Sequence, residues 1–351
     1  MMVWQIAFPN AQYYYTTTKN GNKIDFPAER NEIQTLVDNY LKDTSFNKKT
    51  YTIVSNNKFT ITDTNNALNS FKTNNPHIKI TNNTLETPIL EKGTYTINLE
   101  KNSLLYNQPI IFYQSPTNQD LIEIGDPNTK RNTFTINVIE TKLQINKLDN
   151  DTKSTQPQGD AEISNTVLEL YNEKNSLIEE ITLNESGKTT INNLNFGTYY
   201  IKEKTPGKGY KINNSVYQFT INENEPSIEI NITNEVIKGN LKIIKKYGYK
   251  NNFKPEKNIS FNIYNKDQKL IQTITTNEEG IAEITLPYGN YILTQLTTTE
   301  GYQKIEPIEF NILNDNESIE YNLKNYKIEV PNTKTTSIIK KIINFIKELI
   351  C

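Results

Sequence analysis

The chain carries one strand pattern twice, and that repeat limits what it can fold into. Leu143-Gln144-Ile145-Asn146-Lys147 returns as Leu241-Lys242-Ile243-Ile244-Lys245. Leu168-Glu169-Leu170-Tyr171 returns as Phe261-Asn262-Ile263-Tyr264, and the step from Tyr171 to Gly187 equals that from Tyr264 to Gly280. Phe196-Gly197-Thr198-Tyr199 matches Tyr288-Gly289-Asn290-Tyr291, and Gly209-Tyr210 matches Gly301-Tyr302. Each copy closes on an alternating run, Ile228, Ile230, Ile232, Asn234 in one and Ile319, Tyr321, Leu323, Asn325 in the other. Self-similarity over a domain length means tandem modules, not one large core. Short alternating segments with turn residues between them, and no helical period, predict an all-β fold of antiparallel sandwiches. Asn184-Glu185-Ser186-Gly187 and Asn277-Glu278-Glu279-Gly280 read as hairpin-type turns, with glycine where positive φ is easiest.

Side chains alternate faces along a strand, so Leu143, Ile145 and Lys147 point one way, as do Leu241, Ile243 and Lys245. Tyr199, Ile201 and Glu203 share a face by the same parity, and so do Ile232 and Asn234. Module one therefore places a lysine, a glutamate and an asparagine on apolar faces. A buried ammonium is costly unless it is paired, neutralised or consumed. A satisfied polar cluster is the plain alternative, but three such positions set within a tandem repeat favour chemistry.

Lys147, the run Tyr199-Tyr200-Ile201-Lys202-Glu203-Lys204-Thr205-Pro206 to Gly209-Tyr210, and Ile232-Thr233-Asn234 resemble the collagen-adhesin B-type domain, also called the SpaA-type pilin domain. The resemblance implies tandem prealbumin-like (Ig-like) β-sandwiches. It also implies an autocatalytic isopeptide bond between a first-strand lysine and a last-strand asparagine. Lys147 would be the nucleophile, Asn234 the acyl donor and Glu203 the proton shuttle. An apolar site lowers a lysine's pKa, and a buried carboxylic acid can carry protons to departing ammonia. In module two Lys245 and Asn325 match, but Gln295 stands at the acid position. A glutamine cannot take up and return a proton, which leaves a Lys245–Asn325 cross-link open.

Residues 1–139 differ from the modules. Residues 28–41 read as a helix with Ile33, Leu36, Val37, Tyr40 and Leu41 on one stripe, followed by alternating β segments. Met1-Met2-Val3-Trp4, this helix, and Phe112-Tyr113-Gln114-Ser115 through Asn118-Gln119-Asp120-Leu121-Ile122 resemble the later part of a thioester-type adhesin domain. The Thr-Gln pair and the partner cysteine of that family are absent, which implies a partial domain without its reactive bond. The start has no basic stretch and apolar run of a signal peptide, which in a surface protein points to a missing beginning. Val330-Pro331-Asn332-Thr333-Lys334 resembles a degenerate sortase signal. Ile338, Ile339, Ile342, Ile343, Ile346 and Leu349 then form one face of an amphipathic helix too short and charged to span a bilayer, leaving membrane contact of the tail open. The expected domains are thus 1–139, module one at 140–237, module two at 238–329 and a tail at 330–351.

A net charge of −2 gives no case for nucleic acid. One histidine, His77, and one cysteine, Cys351, cannot build a zinc site or a nucleophile–His–acid triad. Asp149-Asn150-Asp151 lacks the spacing of a calcium loop, and no nucleotide fingerprint appears, so neither metal nor cofactor is expected. The resemblance implies an extracellular stalk or adhesin of a Gram-positive cell wall, facing a host or environmental ligand. It would not be an enzyme, apart from its own cross-linking. The alternative is a carbohydrate- or peptide-binding accessory module of a larger secreted protein.

Overall fold

The computed structural model describes residues 41–101, 130–329 and 335–348, with shorter pieces at 15–16, 23–24, 31, 34, 35, 38, 39, 110–113 and 121–124. Within these, the fold is all-β, with tandem two-sheet modules and one long helix, Thr335–Glu348. The chain divides into two compact units. One comprises 1–143 with 191–198 and 220–228; the other comprises 144–190, 199–219 and 229–351.

In the first unit a four-stranded sheet runs in the order Thr50–Val54, Arg131–Ile139, Gly93–Lys101, Phe71–Lys72. Thr50–Val54 lies parallel to Arg131–Ile139. A three-stranded sheet is built from Asn57–Thr62, Thr84–Leu90 and Lys79–Thr81. Alternation is the cause: Phe134, Ile136 and Val138 are buried, and Thr133, Thr135 and Asn137 between them are not. They join Phe46, Phe59, Leu68, Leu85 and Leu99 in one core. Of the expected helix at 28–41, Asn31, Gln34, Thr35, Asp38, Asn39 and Leu41 are described, helical and exposed. Ile33, Leu36, Val37 and Tyr40 lie outside the described residues, as do Met1–Trp4, Gln114–Asp120 and Val330–Lys334.

Each module has two sheets. In module one Lys188–Asn192, Lys142–Asp149 and Ser227–Asn234 form one, and Leu177–Thr182, Val167–Asn172, Gly197–Thr205 and Tyr217–Ile221 the other. In module two Lys238–Tyr249 pairs with Asn252–Pro255, Ile281–Pro287 and Ser318–Tyr326. The facing sheet holds Leu270–Thr275, Ser260–Asn265, Gly289–Gln295 and Ile308–Ile312. Two expectations are corrected here. The opening and closing strands of module two pair in parallel, Asn240 opposite Ser318 through Gly248 opposite Tyr326. A parallel partner needs a long connection, and most of the module supplies it. The Asn184–Gly187 and Asn277–Gly280 turns are not hairpins, because the strands on either side belong to different sheets. The Asn184 and Asn277 side chains accept backbone N–H bonds from the following residues, so these turns hold a sheet-to-sheet crossing.

The modules grip one another within the second unit. Asp160 Oδ2 accepts Asn290 N at 3.0 Å and Asn290 Nδ2 at 2.9 Å, and Oδ1 meets Lys266 Nζ at 3.3 Å. Lys211 pairs with Asp315 at 2.8 Å and Lys238 with Asp151 at 2.6 Å. Tyr288 packs on Ala161, Ile163, Tyr210 and Val236. Gly209, at φ +78°, passes so close to the Tyr288 ring that a Cβ there would lie 2.6 Å from it.

The first unit has its own buried charge. Asp63 Oδ1 accepts Ser45 N at 2.7 Å and Asn65 N at 3.1 Å; Oδ2 accepts Ala67 N at 2.7 Å and Leu68 N at 2.9 Å. Burial pushes its pKa up, but these N–H bonds more than offset that and hold it below the ordinary value. Asp63→Asn turns one acceptor into a donor facing N–H groups and should cost about 2–3 kcal/mol in urea unfolding at pH 7. Because the folded pKa is depressed, the carboxylate's contribution is present above about pH 4 and is lost as pH falls through the folded pKa. The gap between the two proteins should therefore narrow in acid.

Candidate functional site

Parity brings the predicted residues of module one together. Leu143, Ile145 and Lys147 are all buried from the Lys142–Asp149 strand. Glu203 enters from Gly197–Thr205 in the facing sheet, and Asn234 ends Ser227–Asn234 beside the lysine. The lysine and glutamate side chains are only 2% and 1% exposed. Lys147 Nζ lies 2.9 Å from Glu203 Oε1 and donates to Asn234 Oδ1. Asn234 Nδ2 donates to Glu203 Oε1 at 2.9 Å and Oε2 at 2.7 Å. One carboxylate oxygen thus touches both the amine and the amide nitrogen. The other oxygen is steadied by Asn213 N at 2.6 Å, and Lys211 O accepts a further bond from Asn234 Nδ2.

The repeat's glycines take their place in this site. Lys147 N donates to Gly187 O and Lys245 N to Gly280 O, each at 2.7 Å. Gly187 and Gly280 sit at φ +64° and +76°, and a Cβ would lie 3.0 Å from Lys147 O in one case and 2.4 Å from Lys245 O in the other. Only glycine lets the crossing turn close on the lysine's backbone at that conformation.

Module two buries the same pair by a different route. Lys245 and Asn325 are fully buried. Gln295 is buried too, but its side chain donates to Thr297 O at 2.7 Å and accepts Ile305 N at 3.2 Å. The carboxylate at the pair is that of Glu256, a residue missed in the sequence. Its Oε2 lies 3.3 Å from Lys245 Nζ and accepts Asn325 Nδ2 at 3.1 Å, while Oε1 accepts Thr299 N at 3.0 Å. The Glu256 side chain is 1% exposed. It follows the Asn252–Pro255 strand, where its own N–H donates to Lys245 O at 2.9 Å. A search by strand parity on Gly289–Gln295 could not find it. The available signal was the missing acid itself, since a buried lysine without one demands a partner elsewhere.

Burial pushes the pKa of both lysines down, against the pull of Glu203 on Lys147 and of Glu256 on Lys245. Desolvation thus favours the neutral amine, the form with a free electron pair. Asp149 is a turn acceptor: its Oδ1 takes Asp151 N, Thr152 N and Gln158 Nε2, and its Oδ2 takes Tyr210 OH at 2.9 Å. Among the described residues no cluster of three His, Cys, Asp or Glu side chains is arranged to hold a metal ion.

A family model described as the SpaA prealbumin-like fold domain matches residues 141–236 and 239–327, more than half of the chain. The chain belongs to this family. SpaA-type modules thus account for both repeats. No curated protein sequence matches the chain. Among solved structures it is similar to the Bacillus anthracis TIE protein, at 20% identity and a TM-score of 0.45, over 93% of this chain and 66% of that one. It therefore spans just under two thirds of that protein's length. It is also similar to GBS52, the minor pilin of Streptococcus agalactiae, at 19% identity and TM-score 0.29, over 55% of this chain and 98% of that one. The C-terminal fragment of the pilus adhesin SpaC from Lactobacillus rhamnosus GG matches at 14% identity and TM-score 0.39, over 54% of this chain and 99% of that fragment.

The helix Thr335–Glu348, outside the residues matched by the family, exposes Ile342, Ile343, Phe345 and Ile346. Among the described residues no helix is long and apolar enough to cross a membrane.

The lysine's buried state gives a pH test. Glu203→Gln removes the carboxylate that opposes desolvation, leaving Lys147 with a folded pKa below its unfolded value of about 10.4. Between those two values the unfolded chain binds more protons, so stability should rise with pH. Urea midpoints of Glu203→Gln, read against a Glu203→Gln, Lys147→Met double variant, should converge as pH climbs from 7 to about 10. A constant separation would mean that the amine is solvated.

Proposed function

We propose that the chain is part of an extracellular stalk or adhesin of a Gram-positive cell surface. On this reading its module one is cross-linked by an isopeptide bond between Lys147 and Asn234. The observation that carries the reading is the single Glu203 oxygen in contact with both the lysine amine and the asparagine amide, at 2.9 Å from each, in a site closed to water. Family membership supports a pilin-like module, and the clasp between the modules suits a stiff spacer.

The chemistry follows from the placement. In the dry site the ammonium–carboxylate pair passes its proton to Glu203, giving a neutral amine and a neutral acid. The Nζ electron pair attacks Cγ of Asn234, and the Glu203 acid gives its proton to Nδ2, the atom it touches. Nζ then gives a second proton to the carboxylate. The C–Nδ2 bond breaks as the carbonyl re-forms. One amide replaces another, and one ammonia leaves. A cleft of about 260 Å³ lined by Asn213, Thr233 and Asn234 lies beside the amide. Folding supplies the alignment, so no separate enzyme and no external substrate are involved.

The bond closes a loop between residues 87 positions apart. By analogy with other chain cross-links, a loop of that size is worth about 4.5 kcal/mol of stability. The folded protein should be lighter than its sequence by at least one ammonia, with a branched Lys147–Asn234 peptide after proteolysis. Glu203→Gln and Lys147→Ala should each lack that peptide and unfold at lower denaturant. A branched peptide that persists in Glu203→Gln, or is missing from the parent, would sink the proposal.

A further inference from the structure

In module two the acid has changed its place in the chain, and we propose that Glu256 serves as the proton shuttle for a second isopeptide bond, between Lys245 and Asn325. This rests on the reading of module one given above, because the bond chemistry is the same. What is new is which residue performs it and from which wall.

The two sites agree in what the chemistry needs. In each, one carboxylate oxygen touches both the lysine amine and the asparagine amide nitrogen: Glu203 Oε1 in module one and Glu256 Oε2 in module two. In each, the other oxygen accepts a backbone N–H from a loop, Asn213 N at 2.6 Å and Thr299 N at 3.0 Å. They differ in where the acid comes from. Asn165 and Asn258 mark the same point of the repeat, both left-handed at φ 60° and 59° ahead of the strand that carries Leu168 or Phe261. Two residues earlier stand Ile163 and Glu256, and Thr166 and Thr276 each bond the carbonyl there, at 2.8 and 2.7 Å. An isoleucine and a strand glutamate in one module thus become a glutamate and a strand glutamine in the other.

The amide is held beside the acid, while Lys245 Nζ meets Glu256 at 3.3 Å and Lys246 O at 3.4 Å. Asn325 is fully buried, its Nδ2 is held by Glu256 and by Thr298 Oγ1 at 2.8 Å, and its Oδ1 has no hydrogen-bond partner among the described residues. A buried carbonyl oxygen without a donor is costly. Glu256 takes a proton from Lys245 across the 3.3 Å contact, which frees the Nζ electron pair. Nζ bonds to Cγ, Glu256 passes that proton to Nδ2, Nζ gives a second proton to the carboxylate, and the C–Nδ2 bond breaks as the carbonyl re-forms and one ammonia leaves. Gln295 takes no part, since both ends of its amide are engaged by backbone groups.

The test is intact mass and peptide mapping of the full chain, followed over time after refolding. The parent should lose two ammonia and yield both branched peptides. Glu256→Gln should keep the Lys147–Asn234 peptide and form the Lys245–Asn325 peptide about 10²–10⁴-fold more slowly. Gln295→Leu should keep both. Limited proteolysis shows whether module two of Glu256→Gln is folded. If it is not, Glu256→Asp decides, with a slowed second bond expected. Unchanged second-bond kinetics in Glu256→Gln, or in Glu256→Asp where that variant decides, would overturn the inference, as would a parent with the first bond alone. A parent with neither bond would instead overturn the reading of module one.

Discussion

Everything else in the modules is arranged around a lysine ammonium withdrawn from water. A charge of that size in an apolar interior costs several kcal/mol unless something compensates it. In module one the compensation comes from the facing sheet, through Glu203, and from the neighbouring strand, through Asn234. Satisfying the amine therefore ties both sheets and both ends of the module to one point. The left-handed glycine at the crossing turn, the loop that presents Asn213 N, and the apolar positions flanking the lysine all serve that point.

The fold was largely legible in the sequence because β-structure writes its faces in alternation. Leu143, Ile145 and Lys147, and Leu241, Ile243 and Lys245, are buried as their parity requires. Pairing partners were less legible. Nothing local in Ser318–Tyr326 says that it runs parallel to Lys238–Tyr249, because that choice depends on the path of the intervening chain. The crossing turns illustrate the same limit. Asn-x-x-Gly specifies a tight reversal of the backbone, whereas the sheet joined next is decided by the core beyond it.

The site shows the complementary pattern. Lys147, Glu203 and Asn234 lie on regular strands, so counting by twos placed all three on inward faces, and the structure brings them into contact. The same counting led to Gln295 in module two and stopped there. Glu256 stands just past a short strand, in Lys254-Pro255-Glu256-Lys257, where no alternation announces an inward side chain. It reaches the core because the backbone there pairs with Lys245 itself, a contact that exists only once the sheet has formed.

The parallel register of module two determines where slack can exist. Two strands that start together also finish together, so the chain enters the module at one end and leaves at the other. Lys245 faces Leu323, and Asn325 faces Tyr247, which places both near the departing end. With those side chains joined, a pull on the termini runs along 238–245, crosses the new amide and exits from 325. Residues 246–324, which hold all of the module's buried core residues except Leu241 and Ile243, are then a bystander loop that could fray without lengthening the molecule.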